Sequence, residues 1–183
     1  MEQHEAISLI GLGVRRTGGT WADLGAGTGV FTRALAALVG PSGKVYAVDR
    51  DPRALHELDR AAARDIAIAK IDTIVGDFAR PLHLPPLDGV LLANALHYVP
   101  YDEQPRVLRE VAGRLVPGAT IIVVEYDRRG PNRWVPYPIS FSALATLARD
   151  AGLGAPVRLG SQPSQFGGDL YAASLGVGPD RSG

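Results

Sequence analysis

The chain has 183 residues, 46% of them hydrophobic, which is enough for one domain with a buried core and too few for a catalytic domain joined to a sizeable second one. Its 19 Lys and Arg balance 19 Asp and Glu, so no basic surface exists to gather phosphate backbones or anionic lipid, and nucleic acid is an unlikely partner. Cysteine is absent, which excludes disulfides, thiolate metal sites and a cysteine nucleophile; no metal site is expected. Met1 to Glu5 lack the positive segment of a secretory signal, and no apolar run approaches the ~20 residues that span a bilayer, so a cytoplasmic protein without a membrane segment is expected.

In chain order, Ile7 to Val14 reads as a short N-terminal helix. Trp21 to Leu24 reads as a strand running into glycines, and Val30, Phe31, Ala34, Leu35 and Leu38 fall at helical spacing until Gly40-Pro41 stops them. Lys44 to Val48 is a second strand. Asp51 then caps a helix that Pro52 opens, with Leu55, Leu58 and Ala62 inward. Ile71 to Val75 is a third strand, Arg80 to Pro86 a loop, and Gly89 to Ala95 an apolar run suited to a parallel strand covered on both faces. A helix is predicted over Asp102 to Val116, with Val107, Leu108, Val111 and Leu115 as its stripe and Pro117-Gly118 as its stop. Ala119 to Val124 is the next strand and Ser140 to Ala151 the last helix. Val157 to Leu159 and Leu170 to Leu175 follow as two strands with no helix between them, so they should pair as an antiparallel hairpin at one edge of an otherwise parallel, doubly wound α/β sheet.

Three segments carry chemistry. The turn Asp23-Leu24-Gly25-Ala26-Gly27-Thr28-Gly29 lies between the first strand and first helix, where glycines admit a ligand close to the backbone and the helix N-terminus offers N–H groups to an anion. A dinucleotide fingerprint would have its third glycine three residues after the second, but Val30 stands there, which argues against NAD. A tight turn built for packing alone is the plainer alternative. Asp49 ends the second strand twenty residues past Gly29, where a carboxylate can accept both ribose hydroxyls; with Arg50 and Asp51 it could equally form a solvated turn. Asp77 and Phe78 follow the third strand, where a carboxylate could accept from an adenine amino group and a ring could lie on the purine.

With these segments, Leu87-Asp88-Gly89-Val90 and Leu115-Val116-Pro117-Gly118 in this order and spacing, residues 20 to 126 resemble class I S-adenosylmethionine-dependent methyltransferases of the small-molecule, type 11/25-like branch. The resemblance implies a Rossmann-like seven-stranded sheet in the order 3-2-1-4-5-7-6 with strand 7 antiparallel. It also implies S-adenosyl-L-methionine as cofactor, with S-adenosyl-L-homocysteine as product, held by Asp23, Gly25, Ala26, Gly27, Gly29, Asp49, Arg50, Asp77, Phe78 and Asn94. The methionine carboxylate would meet the glycine turn and its ammonium Asp23. Asn94-Ala95-Leu96-His97-Tyr98 lines the space between cofactor and acceptor in such enzymes, and it lacks the paired prolines of adenine-N6 and glutamine methyltransferases. The absence of cysteine removes cytosine-C5 and arsenite chemistry as well.

His97, with Tyr98 beside it, is the candidate catalytic base, since imidazole titrates near neutrality; shaping the pocket is its alternative role. Residues 127–139 are expected to border the acceptor. Tyr126, Trp134 and Tyr137 could cover a planar molecule, and Arg128, Arg129 and Arg133 could bind an anionic group on it. The expected layout is a single domain. Residues 1–18 form a lid, 19–126 the cofactor-binding core, 127–139 the acceptor-side loop, 140–176 the last helix and hairpin, and 177–183 a disordered tail. An NAD(P)-binding Rossmann protein, with Arg50 meeting a 2′-phosphate, and a non-catalytic cofactor-binding protein are the alternative functions.

Overall fold

A computed structural model describes residues 1–164 and 168–177, so most of the tail expected at 177–183 and the centre of the hairpin turn lie outside the described residues. The elements are α1 (Gln3–Ile10), β1 (Gly19–Leu24), α2 (Val30–Val39), β2 (Gly43–Asp49), α3 (Pro52–Ala62), β3 (Lys70–Val75), β4 (Leu87–Ala93), α4 (Gln104–Ala112), β5 (Leu115–Tyr126), α5 (Phe141–Asp150), β6 (Val157–Pro163) and β7 (Asp169–Gly176). The strands form one sheet in the order 3-2-1-4-5-7-6. β1 to β5 pair in parallel, while β7 runs antiparallel to both β5 and β6. Sheet order and hairpin agree with the sequence.

Period-two alternation sorts the strand side chains onto two faces. Ala22 and Leu24, Val90 and Leu92, Ile121 and Val123, and Tyr171, Ala173 and Leu175 meet α4 and α5 in one core. Trp21, Leu91, Ile122, Val124 and Ala172 meet α1 and α2 in the other. Their near-complete burial accounts for the unbroken apolar runs: strands covered on both faces have no side for water.

The structure corrects three boundaries. The helix expected over 102–116 stops at Ala112, and Leu115 belongs to β5, opposite Leu87. Leu115 lies four residues past Val111, so its spacing mimics a helical stripe, but cross-strand pairing claims it. Pro117-Gly118 therefore interrupts a strand instead of ending a helix; the register shifts there and Gly118 takes φ +80°. The N-terminal helix begins at Gln3, earlier than Ile7, because Glu2 and Glu5 form a reciprocal capping box, and Gly11–Gly13 tightens into a 3-10 turn. β6 continues to Pro163 because its partner β7 is long enough to pair with it.

Candidate active site

Parallel strands bring their carboxyl ends to one edge, and the loops that follow β1, β2, β3, β4 and β5 meet there. The glycine turn is folded onto β2: the amides of Gly25 and Ala26 donate to Val48 O at 2.8 and 3.0 Å, and Gly27 N–H donates to Asp49 Oδ2 at 2.7 Å. Asp49 Oδ1 accepts from Asp51 N–H at 2.9 Å. Several loop amides expected to face an anion thus serve the loop itself. The glycines differ in kind. At Gly29, φ is +87° and a Cβ would sit 2.1 Å from Leu58 Cδ1, so this glycine is required by packing of α2 on α3. At Gly27, φ is +53° and a Cβ would meet nothing within 4 Å, so its backbone faces open space.

Asp23, at the end of β1, is buried. Its Oδ2 accepts from the Thr32 hydroxyl at 2.6 Å, whereas Oδ1 has no partner. Burial pushes its carboxyl up to about 7, the Thr32 hydrogen bond opposes this, and the Asp49 charge adds to it. With the unfolded group near 3.8 and the folded one near 7, the unfolded chain loses its proton first. Folding stability is therefore lost as pH rises between those values, by roughly 4 kcal/mol at 1.36 kcal/mol per unit. Asp23→Asn is expected to remove that slope, so its urea midpoint should differ little between pH 5 and pH 8 where the wild type declines.

Asn94, one residue past β4, takes φ +53°, and its Oδ1 is the second buried side-chain acceptor here without a partner. It is the junction of three cavities. One of about 150 Å³ is bordered by Gly25, Asp49, Arg50, Phe78, Asn94 and Tyr98. A second, of about 240 Å³, is lined by Asn94, His97, Tyr98, Tyr126, Trp134 and Val135. A third, of about 510 Å³, has Met1, Glu5, Phe31, Asn94, Tyr126 and Gln162 in its wall. A fourth, of about 440 Å³, adjoins the first through Arg50, Phe78 and Tyr98. Shared walls join the four into one trough along the carboxyl edge of the sheet.

Asp77 Oδ1 accepts from Ala79 N–H at 2.9 Å, and its Oδ2 lies 3.9 Å from the exposed Arg50 guanidinium. Ala26 is buried beneath the turn. His97 is buried in the 3-10 turn Leu96–Tyr98, with Nδ1 2.6 Å from Glu125 Oε2 and its backbone N–H donating to Glu125 Oε1 at 3.1 Å. Glu125 is fully buried at the end of β5. The sequence reading ends this strand at Val124 and gives Glu125 no role. The available signal was a lone acid closing the apolar strand 119–124, a position that burial makes costly unless the acid is paired. Tyr98 and Trp134 are about half exposed on the trough.

The acceptor-side residues separate. Tyr126 and Trp134 line the 240 Å³ cavity; Arg128, Arg129, Arg133 and Tyr137 border none of the four. Arg128 Nε donates to Gly130 O at 2.8 Å, and the Arg133 guanidinium lies 5.3 Å from the Trp134 ring centre. Tyr137 gives its N–H to His97 O at 3.1 Å and packs edge-on against Tyr101. A backbone carbonyl takes Arg128 Nε, and neighbouring rings take Arg133 and Tyr137, while Arg128 Nη1 is buried without a partner. Among the described residues no group of three or more His, Cys, Asp or Glu is arranged to hold a metal, and no helix is long and apolar enough to cross a membrane.

Comparison with known proteins places this architecture. A family described as a methyltransferase domain matches residues 22–118, more than half of the chain, from β1 through the bulge in β5. The chain belongs to the methyltransferase domain family. One similar protein is the ubiquinone/menaquinone biosynthesis C-methyltransferase UbiE of Pseudomonas savastanoi pv. phaseolicola, 32% identical over 125 residues, covering 67% of this chain and 46% of that protein. The chain spans about half the length of the curated relatives it matches. The fold is that of N-methyltransferase NodS from Bradyrhizobium japonicum, solved with S-adenosyl-L-homocysteine, at TM-score 0.75 and 16% identity over 97% of this chain and 87% of that one. It is also that of an arsenic(III) S-adenosylmethionine methyltransferase from Chlamydomonas reinhardtii, at TM-score 0.70 and 24% identity over 93% of this chain and 66% of that one.

Proposed function

We propose that the chain is an S-adenosylmethionine-dependent methyltransferase acting on a small-molecule acceptor. The observation that carries this is the pair of buried acceptors at the carboxyl ends of adjacent strands, Asp23 Oδ1 on β1 and Asn94 Oδ1 past β4, both without a donor. An α-ammonium presents three donors and a positive charge, which suits two unpaired acceptors of which one is ionisable. Beside them Asp49 stands on the 150 Å³ cavity, where its carboxylate oxygens suit vicinal ribose hydroxyls, and Phe78 offers a ring face to a purine. The open space at Gly27 leaves the backbone free for close approach. Family membership supports the same cofactor, as do the names of UbiE and NodS.

When bound, the cofactor's sulfonium supplies an already activated methyl group. What remains for the protein is to hold donor and acceptor in line and keep water out. Asp23, Asn94, Asp49 and Phe78 would fix the cofactor. Tyr98, Tyr126 and Trp134 would press the acceptor toward Asn94. α1 brings Met1 and Glu5 to the third cavity, as a lid over its mouth would require.

Calorimetry tests the reading. An ammonium placed on Asp23 must draw its carboxyl down from about 7, so binding of S-adenosylhomocysteine should release a proton below neutrality and tighten as pH rises from 6 toward 8. Titrations in buffers of different ionisation enthalpy read that proton directly. Binding with no pH dependence would remove Asp23 from the ammonium site, and no binding would refute the reading. The NAD(P) alternative is answered by the same instrument with NADPH.

A further inference from the structure

Resting on that reading, we infer that the 240 Å³ cavity takes an uncharged aromatic hydroxy compound, and that His97, positioned by Glu125, receives its proton. Four observations carry this.

The lining is Asn94, His97, Tyr98, Tyr126, Trp134 and Val135, with no Lys, Arg, Asp or Glu among them. An acceptor carrying a carboxylate, phosphate or ammonium would enter a wall unable to compensate it. None of Arg128, Arg129 and Arg133 in the adjoining loop borders this cavity; Arg128 Nε donates to Gly130 O and the Arg133 guanidinium lies against the Trp134 ring. Three aromatic rings suit a flat apolar partner.

The only titratable groups on the wall are His97 and the two tyrosines, and burial raises Tyr126 further above its ordinary range, so the imidazole is the proton acceptor this wall offers. The groups packed about its ring are Glu125 from β5, Tyr98 from its own turn, with centroids 4.4 Å apart, and Tyr126, at 6.0 Å. A carboxylate 2.6 Å from Nδ1 holds the proton on that nitrogen and leaves Nε2 as the basic one. Glu125 also accepts the His97 backbone N–H, so one buried side chain fixes both position and tautomer. In the transfer, the hydroxyl oxygen bonds to the methyl carbon, the carbon–sulfur bond breaks with its electron pair going to sulfur, and the hydroxyl proton passes to Nε2. The sulfonium becomes a neutral thioether, and the new imidazolium charge faces the Glu125 carboxylate.

The test uses the full chain with S-adenosylmethionine, counts S-adenosylhomocysteine formed, and offers phenol, 2-naphthol, 4-hydroxybenzoate and tyramine. The neutral pair should be methylated with kcat/KM at least tenfold above the charged pair. His97→Ala should lower kcat for 2-naphthol about 100-fold or more, the ordinary scale of general-base loss. It should leave KM for 2-naphthol within about threefold of wild type, since the rings that hold the acceptor are untouched. Glu125→Gln should lower kcat for 2-naphthol about tenfold with KM within about threefold of wild type. Trp134→Ala, an exposed position safe for folding, should raise KM for 2-naphthol three- to tenfold with kcat unchanged. Preference for charged acceptors, a kcat for 2-naphthol within threefold of wild type in His97→Ala, or no methylation of any neutral member overturns the inference. Calorimetry with S-adenosylhomocysteine on the same preparation separates failures: binding without methylation sinks this inference alone, and no binding sinks the reading beneath it.

Discussion

Asp49→Ala is expected to weaken S-adenosylhomocysteine binding by about 30- to 1,000-fold, read by calorimetry, with at most a small loss of stability. At this partly exposed edge each hydrogen bond from a ribose hydroxyl to the carboxylate contributes about 1–2 kcal/mol, so the two contribute roughly 2–4 kcal/mol. The same side chain holds Gly27 N–H and Asp51 N–H in the free protein, at 2.7 and 2.9 Å. Its removal therefore also loosens the glycine turn. Both donors lie at the partly exposed edge, where water replaces the lost acceptor, so folding suffers by about 1 kcal/mol or less. If affinity fell less than fivefold, Asp49 would be a loop tether and nothing more.

Gly29→Ala should show the opposite pattern, a large effect on folding. The added methyl would lie 2.1 Å from Leu58 Cδ1, and Leu58 is fully buried, so α3 must move or Leu58 must change rotamer. The left-handed φ of +87° adds about 1 kcal/mol of strain. A total near 3 kcal/mol corresponds to a melting temperature lower by about 6–12 °C for a chain of this size. Gly27→Ala has no such collision and should cost only the strain. Equal melting temperatures for the two variants would contradict the division between a packing glycine and an open one.

The sheet was legible because its inner strands β1, β4, β5 and β7 are buried on both faces and its helices are not. Residues 89–95 and 119–124 are nearly unbroken in apolar character, while α3 and α4 carry inner stripes at helical spacing, and these patterns differ along most of their length. Leu115 misled because an apolar residue four positions past another satisfies the helical period whatever partner later claims it. The site was legible in part: the turn, Asp49, Asn94 and His97 follow strand ends, and strand ends of a parallel sheet converge. Glu125 was not, since its partner His97 is distant in sequence and burial is a property of the folded chain. Nor could sequence tell Trp134, which lines a cavity, from Arg128 and Tyr137, which turn to backbone and to another ring; that depends on how one irregular loop packs.

The most direct test of the account is a calorimetric titration of the wild-type chain with S-adenosylhomocysteine at pH 7.5. Saturable binding at one site per chain is the expected result. Absence of binding up to millimolar ligand would contradict it.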